Sequence, residues 1–285
     1  LETRTQALMA KTSFPSKSAV KHLRETGFLD KNLRGTSLAH TVWLTEEEYQ
    51  IVAEENATCV HNPISNLRLG SGIMPVYQVS NTSHVNVAMG CDGSASSDGQ
   101  DMLEALKLGT ILSTVSRPDY REWLTARKVA LHHAAKNGYR AVGMQDQAGE
   151  LKVGMQADLT LWDLTSLALL PRTDPLTLLI LGSRTQAPGA GSTLHSSWVR
   201  GNRVVADGSP TRLNLVRFRE FLCSVQKEYR DSSITNPCTD APSTAAAERE
   251  YRAAMGLDKD CQTKPTPSDL GSFPQDRVPY DSTIE

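Results

Sequence analysis

Apolar residues in SAVKHLRETGFL (18–29) and TEEEYQIVAEEN (45–56) recur every three or four positions, the spacing of helices that bury one face. The second segment opens with Thr45 and Glu48, the pair of a capping box. DMLEALKLGTILSTV (101–115) also has helical spacing. Between these lie three short apolar runs, TSLAH (36–40), ATCVHNP (57–63) and VNVAMGCD (85–92), which read as strands. Nearly continuous apolar strands separated by helices predict an α/β fold, a parallel sheet with helical cover. The runs end in His40, His61 and Asp92. Ligands in parallel α/β folds sit at the C-terminal ends of strands, so this common placement marks a candidate site.

The texture changes further on. Residues 121–143 are helical in pattern, with a stop at Asn137-Gly138. GELKVGMQADLTLWDL (149–164) and SSWVRGNRVVADGS (196–209) are short strands with glycine turns, and the loop-rich stretch 165–195 lies between them. LVRFREFLCSVQKEYR (215–230) is an amphipathic helix. Beyond Asp231 the composition turns to Ser, Thr, Pro and charge, with one helical island at 244–257. The organisation expected is an α/β part over 1–148, a small β portion over 149–210, a helix over 211–230 and a largely disordered tail over 231–285.

Charge and cysteine narrow the class. Thirty Lys and Arg against thirty-two Asp and Glu leave a net −2, and no basic run stands out, so neither nucleic acid nor an anionic membrane is an expected partner. No apolar run approaches the roughly 20 residues of a membrane span. The five cysteines form no CxxC pair and no apolar leader opens the sequence, so a cytoplasmic setting is expected.

Asp92 is the most informative residue, because a carboxylate closing an apolar strand needs a partner. It either caps its own Asx turn or holds a ligand. His132 and His133 are adjacent on a helix and point apart. GSG at 70–72 is too short for a phosphate loop, which weighs against a nucleotide-binding α/β module.

LET (1–3), SLAHTVWLTEEE (37–48), HNPISNLRLGSGIMPV (61–76) and MGCDGSASSD (89–98), followed in order by the two strand segments above, resemble the amidohydrolase superfamily. The likeness is to its branch of cytosine and guanine deaminases, adenosylhomocysteine deaminases and triazine hydrolases. The resemblance implies a (β/α)8 TIM barrel with a divalent metal, zinc or alternatively iron, at its C-terminal mouth, flanked by a small β-sandwich. It implies hydrolysis of a carbon–nitrogen bond, other than a peptide bond, in a small aminated heterocycle. Carried over by motif, Asp92 resembles the metal ligand after the last barrel strand. His40 resembles the sixth-strand histidine that contacts substrate, and Glu2 the glutamate of an HxxET motif that handles protons. His61, Ser65 and Asn66 fall on the pocket wall or in the turn that follows, as substrate-binding candidates.

The family's HxH pair and fifth-strand histidine have no counterpart among the seven histidines. A complete barrel takes about 250 residues, whereas the α/β pattern here supplies three strand–helix units. The expectation is therefore a C-terminal portion, about strands five or six to eight plus part of the sandwich, that does not hold the metal by itself. An inactive truncated product, a homo-oligomer and one half of a split enzyme completed by an N-terminal polypeptide are the forms this leaves open.

Overall fold

The computed structural model describes residues 2–97, 99–171, 173–182 and 193–235. Thr3 starts the first helix with a complete capping box: its hydroxyl accepts from Gln6 N–H, and the Gln6 side chain accepts from Thr3 N–H. That helix, α1 (Arg4–Ser13), is absent from the sequence reading. α2 (Ala19–Glu25) follows, capped by Ser18. β1 (Ser37–Ala39), α3 (Glu46–Glu54), β2 (Thr58–His61), α4 (Pro63–Arg68) and β3 (Asn86–Met89) then alternate as expected. The short turn α5 (Ser94–Ser97) and the long α6 (Met102–Ser116) come next.

The three strands form a parallel sheet in the order β1-β2-β3, with Ala39 opposite Val60, Val60 opposite Ala88, and His61 opposite Met89. β2 is buried except at the half-buried Val60, and β1 alternates exposed and half-buried positions. The core lies between this sheet and its helices: Val52, Cys59, Val79, Val87 and Val129 are fully enclosed, and Tyr49, Met74 and Leu106 nearly so. Each such aliphatic side chain contributes roughly 1.5–3 kcal/mol of burial.

The third expected helix differs in detail. A turn at Tyr120–Glu122 precedes α7 (Ala126–Lys128), which passes through a π-helical stretch, Val129–Lys136, into α8 (Asn137–Ala141). This stretch covers the outer edge of β3. The bond from Gly90 N–H to the His61 carbonyl aligns β3 so that the Val87 carbonyl points away from β2. That carbonyl accepts from His133 Nδ1 at 2.8 Å and from Asn137 Nδ2 at 2.7 Å.

The small β portion is one antiparallel sheet, β4 (Leu159–Asp163), β5 (Thr193–Val199), β6 (Asn202–Ala206) and β7 (Ser209–Pro210), in sequence order. The stretch 165–195, expected as loop, contains α9 (Pro175–Leu181), started by Asp174 at the cap and Pro175 at the first position. Tyr139 Oη donates to Asp158 at 2.6 Å, tying α8 to the segment entering β4. Both sheets belong to one compact unit, Leu1–Leu213; a second comprises Asn214–Glu285. In the second, α10 (Leu215–Thr235) runs past the expected end at residue 230 into the segment read as disordered. The helical island at 244–257 lies outside the described residues.

Candidate active site

The chain leaves β1 in an unusual conformation. His40 (φ +68°) and Thr41 (φ +44°) are both left-handed, a region non-glycine residues seldom occupy. Tyr49 on α3 holds the turn by donating its hydroxyl to the Thr41 carbonyl at 2.6 Å, and burial pushes the tyrosine's ionisation far upward. Three residues beyond β3, Asp92 is also left-handed, at φ +65°. Left-handed positions thus stand beyond the ends of the two outer strands, β1 and β3.

These turns bring His40 and Asp92 together, with Nε2 3.7 Å from Oδ2. The Asx turn expected of Asp92 is present. Its Oδ1 accepts from Gly93 N–H at 2.7 Å, closing the Asx turn, while Oδ2 accepts from Ser96 Oγ at 2.9 Å and faces His40. The Ser65 hydroxyl, though it closes no hydrogen bond of good geometry, is foremost among the groups that hold the Asp92 carboxyl below the usual carboxylate range, and Gly93, Ser96 and His40 add to it against partial desolvation. Gln100 completes the loop by donating to the Asp92 carbonyl at 2.7 Å.

On the other side of the imidazole, Nδ1 lies 2.7 Å from Asn66 Oδ1 and 3.9 Å from Glu2 Oε1. Glu2 itself accepts from Ser71 Oγ at 3.0 Å. Ser71 is fixed in turn by its own N–H to the Asn66 carbonyl at 2.8 Å and by Trp43 Nε1 to its carbonyl at 2.7 Å. Glu2, His40 and Asp92, predicted from three separate segments, thus meet in one place, with Ser65 and Asn66 beneath them. Ser71, Ser96, Gln100 and Trp43 were not singled out; of these only Ser96, four residues after Asp92, had a local signal.

His61 does not join them. Its side chain is enclosed and lines a small interior cavity with Met74, Tyr77, Gly109 and Ser113. Nδ1 has no partner among the described residues. Burial, then the charges of His133 and His40, lower its pKa to about 3. The reason is backbone conformation: His61 still belongs to β2 and follows strand alternation inward, whereas His40, level with it at the end of β1, is turned by its left-handed backbone. Among the described residues, no group of three or more His, Cys, Asp or Glu side chains is placed to hold a metal ion. Nor is any helix among them long and apolar enough to cross a membrane.

The pattern that describes the Amidohydrolase family matches residues 9–198. The 5-methylthioadenosine/S-adenosylhomocysteine deaminase of Pyrococcus furiosus is 36% identical over 192 residues, 67% of this chain and 42% of that protein. The 5'-deoxyadenosine deaminase of Methanosarcina barkeri is 34% identical over 73% of this chain and 44% of its own length. The chain therefore spans less than half the length of these curated relatives. Among solved structures, a zinc-bound adenosine deaminase from Xanthomonas campestris superposes with a TM-score of 0.69 at 27% identity, covering 82% of this chain and 49% of that one. The zinc complex of atrazine chlorohydrolase from Arthrobacter aurescens gives the same TM-score at 24% identity, over 79% and 47%, a likeness of fold.

Proposed function

The chain belongs to the amidohydrolase family, and from that premise we propose that it forms the C-terminal half of an aminohydrolase that deaminates an adenosine-type heterocycle. The observation that carries the reading is the convergence of Glu2, His40 and Asp92 on one left-handed pair of strand ends. Relatives named for deamination of adenosine derivatives support this substrate class over pyrimidines and triazines.

Asp92, ionised and aimed at the site through Oδ2, suits one position in a zinc shell. Among the described residues no group of three or more His, Cys, Asp or Glu is placed to form such a shell, and further histidines from a complementing N-terminal polypeptide would complete the set. Zinc held there would supply Lewis-acid chemistry and acidify a water molecule. The chain's own residues then have separable tasks. Glu2, oriented by Ser71, moves a proton from the attacking water towards a ring nitrogen. His40 hydrogen-bonds the oxygen being added through Nε2. Asp92 takes the second proton from that oxygen and passes it to the amino group, which leaves as ammonia, so that water and an aminated ring carbon give ammonia and a carbonyl.

The test is complementation. The chain is co-expressed with the N-terminal half of the Pyrococcus furiosus relative, and zinc content and ammonia release from 5'-deoxyadenosine are measured. About one zinc per complex with turnover, both lost in Asp92→Ala, is the expected result. A stable complex with neither zinc nor turnover overturns the reading and leaves an inactive copy.

A further inference from the structure

We infer that Asn66 is a positioning residue that selects the tautomer of His40, placing the ring proton on Nδ1 and leaving Nε2 as the lone pair that faces Asp92. The inference deepens the deaminase reading, on which the use of that lone pair rests, but the proton's location follows from this chain alone. Asn66 Oδ1 lies 2.7 Å from His40 Nδ1. With its amide oxygen turned to the ring, Asn66 only accepts, which places the proton on Nδ1, while its own buried Nδ2 has no partner among the described residues. The opposite nitrogen then carries the lone pair, and it is this atom that lies 3.7 Å from Asp92 Oδ2.

The clamp is built to hold. Asn66 is fully buried. Its backbone is fixed on both sides, by its N–H to the Asn62 carbonyl at 3.0 Å and by its carbonyl to Ser71 N–H at 2.8 Å. Pro63 opens α4 at its first turn and so sets the position of Asn66 three residues on. The turn that carries His40 is held as well, since the Thr41 carbonyl accepts from Tyr49. Two rigid elements therefore meet through one hydrogen bond, and that bond decides which imidazole nitrogen is basic. A ring with the opposite tautomer would present N–H to the carboxylate and no acceptor to the site.

Imidazole nitrogen NMR of histidine-labelled protein reads the tautomer directly, and His133 serves as an internal control. Its Nδ1 donates to the Val87 carbonyl far from Asn66 in sequence, so it has the same tautomer for an independent reason. Spectra are recorded in mildly alkaline buffer. The expected wild-type result is a proton on Nδ1 in both residues. Asn66→Ala should move His40 towards Nε2–H by about fivefold or more in tautomer ratio, the worth of one hydrogen bond, with His133 unchanged. Asn66→Asp, whose carboxylate also only accepts, should restore Nδ1–H.

A wild-type His40 with its proton on Nε2 overturns the inference whatever the variants do. So does an unchanged ratio in Asn66→Ala while His133 reports an intact fold. If Asn66→Ala does not fold, the wild type and Asn66→Asp still decide. The complementation experiment fails independently: Nδ1–H at His40 in a zinc-free, inactive complex sinks the deaminase reading and leaves the clamp standing.

Discussion

Ser71 Oγ donates to Glu2 Oε1 at 3.0 Å across 69 residues, so the loop after α4 holds the start of α1. Glu2 N–H and Thr3 N–H both donate to Gln6 Oε1, and the carboxylate is thus the outermost member of a short chain of bonds that begins the helix. Removing one such bond costs about 1 kcal/mol.

Ser71→Ala should accordingly speed amide exchange in the first turn of α1 by about fivefold, while α3 exchanges at its former rate. Residue-resolved hydrogen exchange makes the comparison. Equal protection of α1 in both proteins would mean that the capping box alone anchors it.

Acid sensitivity should come early, from two buried imidazoles. Burial lowers the pKa of both His61, to about 3, and His133. In the unfolded chain both take up a proton near pH 6.5. The unfolded state therefore binds more protons below that value, and stability falls with falling pH at up to about 1.4 kcal/mol per pH unit for each group. Urea titrations between pH 7 and 5 should show this slope before most carboxylates titrate, with about half of it gone in His61→Leu. An unchanged slope in that variant would remove His61 from the account.

Gly35 and Gly27 make a matched pair, since both lie at φ +77°. A Cβ on Gly27 meets open space, whereas one on Gly35 comes within 2.7 Å of the Val142 carbonyl carbon and 2.8 Å of Gly143 N. Gly27→Ala should cost about 1–2 kcal/mol from backbone strain alone. Gly35→Ala should cost about 1–3 kcal/mol more, because backbone cannot give way as a side chain can. Thermal or urea unfolding of the two variants separates these contributions; equal losses would show that the Val142–Gly143 loop yields.

Glu48 is buried and fully occupied, accepting from Ser18 Oγ at 2.6 Å and from Thr45 N–H at 2.8 Å. Glu48→Ala should destabilise by about 1–3 kcal/mol, through the stranded Ser18 hydroxyl and the lost cap. Ser18→Ala combined with it should cost less than the sum of the two, as expected of direct partners. Additive losses would contradict the bond.

The capping box at Thr45 was readable because its residues lie three apart, and the three strands because each apolar run is longer than any turn. The same local rule was available for α1 in Thr3 and Gln6, and for α9 in Asp174 and Pro175, but weak apolar periodicity and a proline-rich setting masked them. Glu2, His40 and Asp92 were found through motif. Their conjunction was not legible, because it depends on left-handed turns and on pairings such as Ser71 with Glu2. His61 shows the limit most plainly: it stands level with His40 across β1 and β2, yet only His40 has the left-handed backbone that turns its ring out of strand alternation, and the His61 ring stays in the core.

The two borders of the parallel sheet are not equivalent. On β3 the outward carbonyl of Val87 is already taken by His133 and Asn137, so an incoming strand there must first displace two side chains. On β1, Ser37 and Ala39 are exposed, and β2 is its sole strand neighbour among the described residues. A strand joining the sheet therefore meets side chains on one margin and open backbone on the other, and closing a barrel requires the helix at β3 to yield its hold on Val87.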